Sequence, residues 1–124
     1  MATILIIEDE AAIRAPIAGA FREAGYSVSE AADGEAGLVS ALRDHPDVIL
    51  LDIILPKMHG IAMLQKLRED TWGRRVPVIL LTNLSDSESV AGAIENGAYD
   101  FLVKKDWKPD EVVHMVAQRI KRSN

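Results

Sequence analysis

Asp52 ends an apolar run at 48–51, and three further apolar residues separate it from Pro56. A carboxylate costs several kcal/mol to bury without partners. Such a residue either caps the following turn or is kept for chemistry. The placement recurs along the chain. Glu8 and Asp9 follow the run 3–7, Thr82 follows 76–81, and Lys104 follows 99–103. If the runs are neighbouring strands, three carboxylates meet, repel one another and require a cation. An all-oxygen set with open positions suits Mg²⁺. A carboxylate can also attack phosphorus to form an acyl phosphate, and Mg²⁺ would offset the repulsion between that nucleophile and an incoming anion. Lys104 would bring a point charge to one phosphoryl oxygen, and the Thr82 hydroxyl would donate to another. Positioning plus electrostatics is most of what phosphoryl transfer asks of a protein. Taken singly, each residue has an ordinary reading. Glu8-Asp9-Glu10 suits a solvated helix N-terminus, Thr82 a turn, Lys104 the surface. Four strand ends that agree point to a site.

The elements between them fit that arrangement. The run 3–7 reads as a buried strand. Ala12, Ile13, Ile17, Ala20, Phe21 and Ala24 recur at helical spacing, and Gly25 closes the helix. Pro16 lies inside this pattern and should kink the helix or shorten its first turns. Residues 26–31 alternate like a short strand, and Asp33-Gly34 turns the chain into a second helix that ends near His45-Pro46. The third strand spans 47–51, and a third helical stripe carries Ile61, Leu64 and Leu67. The fourth strand spans 76–81, with Pro77 near its start, where proline is tolerated. Ser85 to Glu88 offer capping for a fourth helix, which closes at Asn96-Gly97. The fifth strand spans 99–103. Pro109 suits the first turn of a last helix, with Val112, Val113, Val116, Ala117 and Ile120 on its inner face.

Strands that are nearly continuously apolar need helices on both faces of a parallel sheet. The expected fold is therefore α/β: five βα units in a three-layer, doubly wound, flavodoxin-like sheet of order 2-1-3-4-5. The site lies where that order reverses, between strands 1 and 3. Residues 1–124 read as a single domain.

Composition narrows the function. Nineteen acidic against fourteen basic residues give a net charge of −5, which argues against broad nucleic-acid binding. The absence of cysteine removes disulfides and thiolate chemistry, and zinc has no paired histidines to hold it. His45, His59 and His114 have no mutual spacing suited to a ligand set, and His59 is expected in an exposed loop. Trp72 should pack a loop; Trp107 is either packing or a partner anchor. No apolar run approaches the roughly 20 residues of a membrane span. The expectation is a cytoplasmic protein without membrane contact.

The chain resembles the receiver domains of two-component response regulators, the single-domain chemotaxis-regulator type in particular, over nearly its whole length. The motifs are Ile7-Glu8-Asp9-Glu10, Leu50-Leu51-Asp52-Ile53-Ile54-Leu55-Pro56 with Gly60, Leu81-Thr82-Asn83, and Gly97-Ala98-Tyr99-Asp100-Phe101-Leu102-Val103-Lys104. The resemblance implies a phosphoryl group taken from a sensor histidine kinase or phosphotransfer protein onto Asp52. It implies Mg²⁺ held by Glu8, Asp9, Asp52 and the backbone carbonyl of Ile54. Thr82 and Lys104 would be phosphoryl ligands, and Phe101 a switch aromatic that moves with Thr82. The implied output face, built from the fourth helix, fifth strand and fifth helix, would bind a downstream protein and could serve a homodimer. Such a domain is a signalling switch rather than an enzyme, with weak autophosphorylation and autodephosphorylation.

Two features depart from the family pattern. Lys105 stands where a proline in a cis peptide is usual, and a non-proline cis bond costs about 3 kcal/mol. The segment before Pro109 is one residue longer than usual. Ile54 and Leu84, two beyond Asp52 and Thr82, are apolar, which suggests slow loss of the phosphoryl group. Three other readings differ in class. A phosphomonoester hydrolase working through an aspartyl phosphate needs a second acid where Ile54 stands. A phosphate-independent interaction module has no use for the acidic set and Lys104. A receiver cut from a longer response regulator would look the same in sequence.

Overall fold

A computed structural model describes residues 2–82, 91, 95, 97, 100–103 and 108–123. Its elements are β1 (Thr3–Ile7), α1 (Ala11–Glu23), β2 (Ser27–Ala31), α2 (Gly34–Asp44), β3 (Val48–Asp52), α3 (Gly60–Glu69), β4 (Val78–Thr82), β5 (Asp100–Val103) and a last helix, α4 (Pro109–Ser123). The five strands form one parallel sheet of order β2-β1-β3-β4-β5. The α/β doubly wound expectation holds. The fourth helix expected before β5 lies outside the described residues except at Ala91, Glu95 and Gly97, and Trp107 and the Lys104–Lys105 bond lie outside them too.

Alternate residues of β1, β3 and β4 enter different cores, which is why these strands read as unbroken apolar runs. Leu5, Ile7, Ile49, Leu51 and Leu80 pack with Met63, Leu64 and Leu67 of α3 on one face. Ile4, Ile6, Val48, Leu50 and Ile79 pack with Phe21 of α1 and Val112 and Val116 of α4 on the other. Phe21 is fully buried and meets the Tyr26 ring edge-on, centroids 5.0 Å apart. Burial of its phenol holds the Tyr26 pKa above its ordinary value.

Some boundaries differ from the sequence reading. β4 begins after Pro77, whose missing N–H would cost a ladder bond. α1 runs unbroken through Pro16, so the expected shortening does not occur. The proline falls in the second turn, where it removes one backbone bond. Trp72 stacks flat on His45, ring centroids 4.2 Å apart. His45 ends α2 in a left-handed conformation, φ 48°.

A second left-handed residue is Lys57, φ 64°, in the loop that follows Asp52. A side chain there costs about 1–2 kcal/mol, partly offset in a glycine variant by glycine's greater freedom when unfolded. The Lys57–Asp33 ion pair, 3.9 Å long and with the lysine side chain 68% exposed, adds little. Lys57→Gly is therefore expected to raise stability by about 0.5 kcal/mol, with Lys57→Ala near neutral, as read from urea denaturation.

Candidate functional site

β1 and β3 are adjacent, with Ile7 paired to Leu51. Extending that register by one residue sets Glu8 beside Asp52, at the carboxyl ends of the two strands about which the order reverses. Ligands of open α/β sheets bind in this crevice. Glu8 is 0% and Asp52 3% exposed. Glu8 is held by its surroundings: its N–H donates to the Ala31 carbonyl at 3.0 Å, and its Oε1 accepts from the Glu10 N–H at 3.2 Å. Asp52 Oδ1 accepts from the Ile54 N–H at 3.4 Å.

The carboxylate oxygens of Glu8, Asp9 and Glu10 come within 4.8 Å of one another. Three anions this close, one of them buried, form an all-oxygen donor set that fits a hard divalent cation such as Mg²⁺. Glu10 joins this cluster, although the sequence reading left it out of the ligand set. The Ile54 side chain, 52% exposed, stands beside the site.

The loop from Ile53 to His59 returns the chain to α3. The Gly60 N–H donates to the Ile53 carbonyl at 2.8 Å. His59 is exposed, as expected, and it also caps α3, its Nδ1 accepting the Ile61 N–H at 3.3 Å. Asp33 caps α2 through the Ala36 N–H at 2.7 Å. Thr82 closes β4, paired with Val103, and Phe101 lies in β5 opposite Leu80. Their side chains, and all of Lys104, are outside the described residues.

Sequence reasoning missed Arg14. From the second turn of α1 its Nη1 donates to the Glu8 carbonyl at 2.6 Å, and its Nε pairs with Glu30 of β2 at 3.1 Å. Nothing in local spacing announces either contact, because both partners are set by the fold.

A family model described as the response regulator receiver domain matches residues 4–117. The chain belongs to that family. Among curated relatives of this receiver, a probable transcriptional regulator, ycf27 of Porphyridium aerugineum, is 38% identical over 119 residues, covering 96% of this chain and 48% of that protein. The chain thus spans about half the length of the curated relatives it matches. Among solved structures, the chemotaxis response regulator CheY4 of Vibrio cholerae is 28% identical with a TM-score of 0.88, covering 96% of this chain and 98% of that one. The receiver domain of the sensor histidine kinase PA1611 of Pseudomonas aeruginosa is 32% identical with a TM-score of 0.86, covering 97% and 98%. That structure has a magnesium ion coordinated in its active-site cleft. Receivers are signalling switches that work with histidine kinases or phosphotransfer proteins. Among the described residues, no helix is long and apolar enough to cross a membrane.

Proposed function

We propose that residues 1–124 form one receiver domain in which Asp52 accepts a phosphoryl group from a histidine kinase or phosphotransfer protein. A carboxylate oxygen of Asp52 attacks the phosphorus, the bond to the donor's imidazole nitrogen breaks, and that nitrogen leaves with the electron pair. The observation that carries this is a carboxylate only 3% exposed at the end of β3, at the reversal of strand order and beside buried Glu8. Glu8, Asp9, Asp52 and the Ile54 carbonyl are the proposed Mg²⁺ ligands. When bound, Mg²⁺ supplies positive charge against the repulsion between nucleophile and phosphoryl oxygens. Thr82 and Lys104 receive the phosphoryl oxygens, and Phe101 follows Thr82. The face formed by the fourth-helix segment, β5 and α4 then binds a protein partner or a second copy of the chain.

We place the domain in the cytoplasm, with no direct nucleic-acid contact, in keeping with its net charge of −5. A second reading, the receiver portion of a longer regulator, is favoured by one observation: the relatives it matches are about twice its length. It leaves the chemistry at Asp52 unchanged.

The test is intact-protein mass after incubation with acetyl phosphate, with and without Mg²⁺. One Mg²⁺-dependent phosphoryl adduct is expected. None would favour a phosphate-independent interaction module.

The lifetime of that adduct follows from Ile54. An exposed apolar side chain beside the acceptor cannot orient an attacking water. Without a phosphatase the adduct is expected to last minutes or longer, and Ile54→Asn to shorten it severalfold. A wild-type lifetime of seconds would overturn this account.

A further inference from the structure

We propose that Arg14 is a positioning residue for Mg²⁺: it fixes the backbone turn from which Glu8, Asp9 and Glu10 present their carboxylates. The inference rests on the metal site proposed above. Arg14 holds the turn at both ends. Its Nη1 donates to the Glu8 carbonyl at 2.6 Å, and its own backbone N–H donates to the Glu10 carbonyl at 2.9 Å. The first bond fixes the peptide plane between Glu8 and Asp9, and so the direction in which the Asp9 side chain leaves the backbone. Charge-assisted bonds of this length are the strong ones.

The guanidinium is itself clamped. Its Nε lies 3.1 Å from Glu30, whose other oxygen lies 3.2 Å from Arg22, and the Arg14 and Glu30 side chains are 19% and 29% exposed. A planar fork can serve Glu30 and the Glu8 carbonyl at once; a lysine ammonium at the end of a flexible stem cannot hold that pair of directions. The network therefore ties α1 and β2 to the end of β1, the strand end that carries the acids.

A positioning role and a purely electrostatic one have opposite signs. A cation beside a cation site weakens metal binding by repulsion, so if charge alone mattered, Arg14→Met would tighten Mg²⁺ and Arg14→Lys would match wild type. Positioning predicts the reverse. Calorimetric Mg²⁺ titration should give a Kd about tenfold higher in Arg14→Met and severalfold higher in Arg14→Lys, with Glu30→Gln, which frees the guanidinium, weakened in the same direction. Amide exchange at Asp9 and Glu10 should speed up in the metal-free variants. Phosphorylation by acetyl phosphate should return to the wild-type rate at saturating Mg²⁺.

Tighter or unchanged Mg²⁺ binding in Arg14→Met, or wild-type binding in Arg14→Lys, overturns the inference. If Arg14→Met does not fold, Arg14→Lys decides it alone, because loss of the Glu30 anion weakens Mg²⁺ binding on either reading. A wild-type protein that takes no Mg²⁺ defeats the metal site itself, whereas wild-type binding that all three variants match defeats only the role of Arg14.

Discussion

Asp52→Asn is expected to abolish the Mg²⁺-dependent phosphoryl adduct and, in the same protein, to raise the thermal stability of the metal-free form. The first effect is complete because an amide oxygen is too weak a nucleophile to make the acyl phosphate. The second follows from charge. Asp52 is 3% exposed and Glu8 0%, on adjacent strand ends, with Asp9 next in the chain. Like charges held this close in a buried setting repel one another. Asparagine has nearly the same shape, and its oxygen can still accept the Ile54 N–H that Asp52 Oδ1 now accepts at 3.4 Å. Repulsion among the acids is reduced while that bond is kept. A gain on the order of 1–2 kcal/mol is expected, or roughly 4–8 °C in Tm for a domain of this size. Thermal scans with and without Mg²⁺ check both halves. Mg²⁺ should raise the wild-type Tm clearly and that of the variant much less. A metal-free Asp52→Asn protein that melts below wild type would show that the carboxylate is a structural cap.

That trade of stability for function was readable in the sequence, because burying a carboxylate at the end of a strand covered on both faces is costly in itself. The sheet was readable for a related reason. Ile4 to Ile7 and Val48 to Leu51 are apolar at every position, and the two clusters they enter account for both parities. Strand ends were less sharp. Asp52 and Thr82 proved to be the last residues of β3 and β4 rather than the first beyond them, since a polar residue at a strand's end keeps its ladder bonds. What could not be read were contacts between residues far apart in sequence or set by loop shape. Arg14 reaches Glu30 only because β2 lies beside β1. Arg68 of α3 donates from one nitrogen to the Gly73 and Val76 carbonyls, at 2.6 and 2.8 Å, and from the other to the Gly97 carbonyl. The histidine cap at His59 and the left-handed Lys57 depend on the exact path of the loop around Asp52, which no periodicity encodes.

Gly60→Ala is expected to cost about 3 kcal/mol and to slow phosphorylation at least tenfold at saturating Mg²⁺. Gly60 does not have the left-handed backbone that usually demands glycine; its constraint is space. A methyl group there would meet the Ile53 Cα and carbonyl oxygen, each at 2.8 Å, and would collide with the Asp52 carbonyl oxygen. These neighbours are backbone, not the far ends of flexible side chains, and they close the central strand of the sheet. The strand cannot give, so α3 must move away, and the Gly60 N–H bond to the Ile53 carbonyl stretches with it. The loop that carries the Ile54 carbonyl, one of the proposed Mg²⁺ ligands, is pulled out of place. Gly19→Ala supplies the control. Gly19 lies inside α1 with open space where its Cβ would be. The same substitution there should stabilise by about 0.5–1 kcal/mol, since alanine loses less freedom in a helix. Opposite signs in urea denaturation, with phosphorylation lost only in Gly60→Ala, would show that the close approach of α3 to the end of β3 holds the acceptor in place. Equal stability of Gly60→Ala and wild type would mean that this approach is not needed.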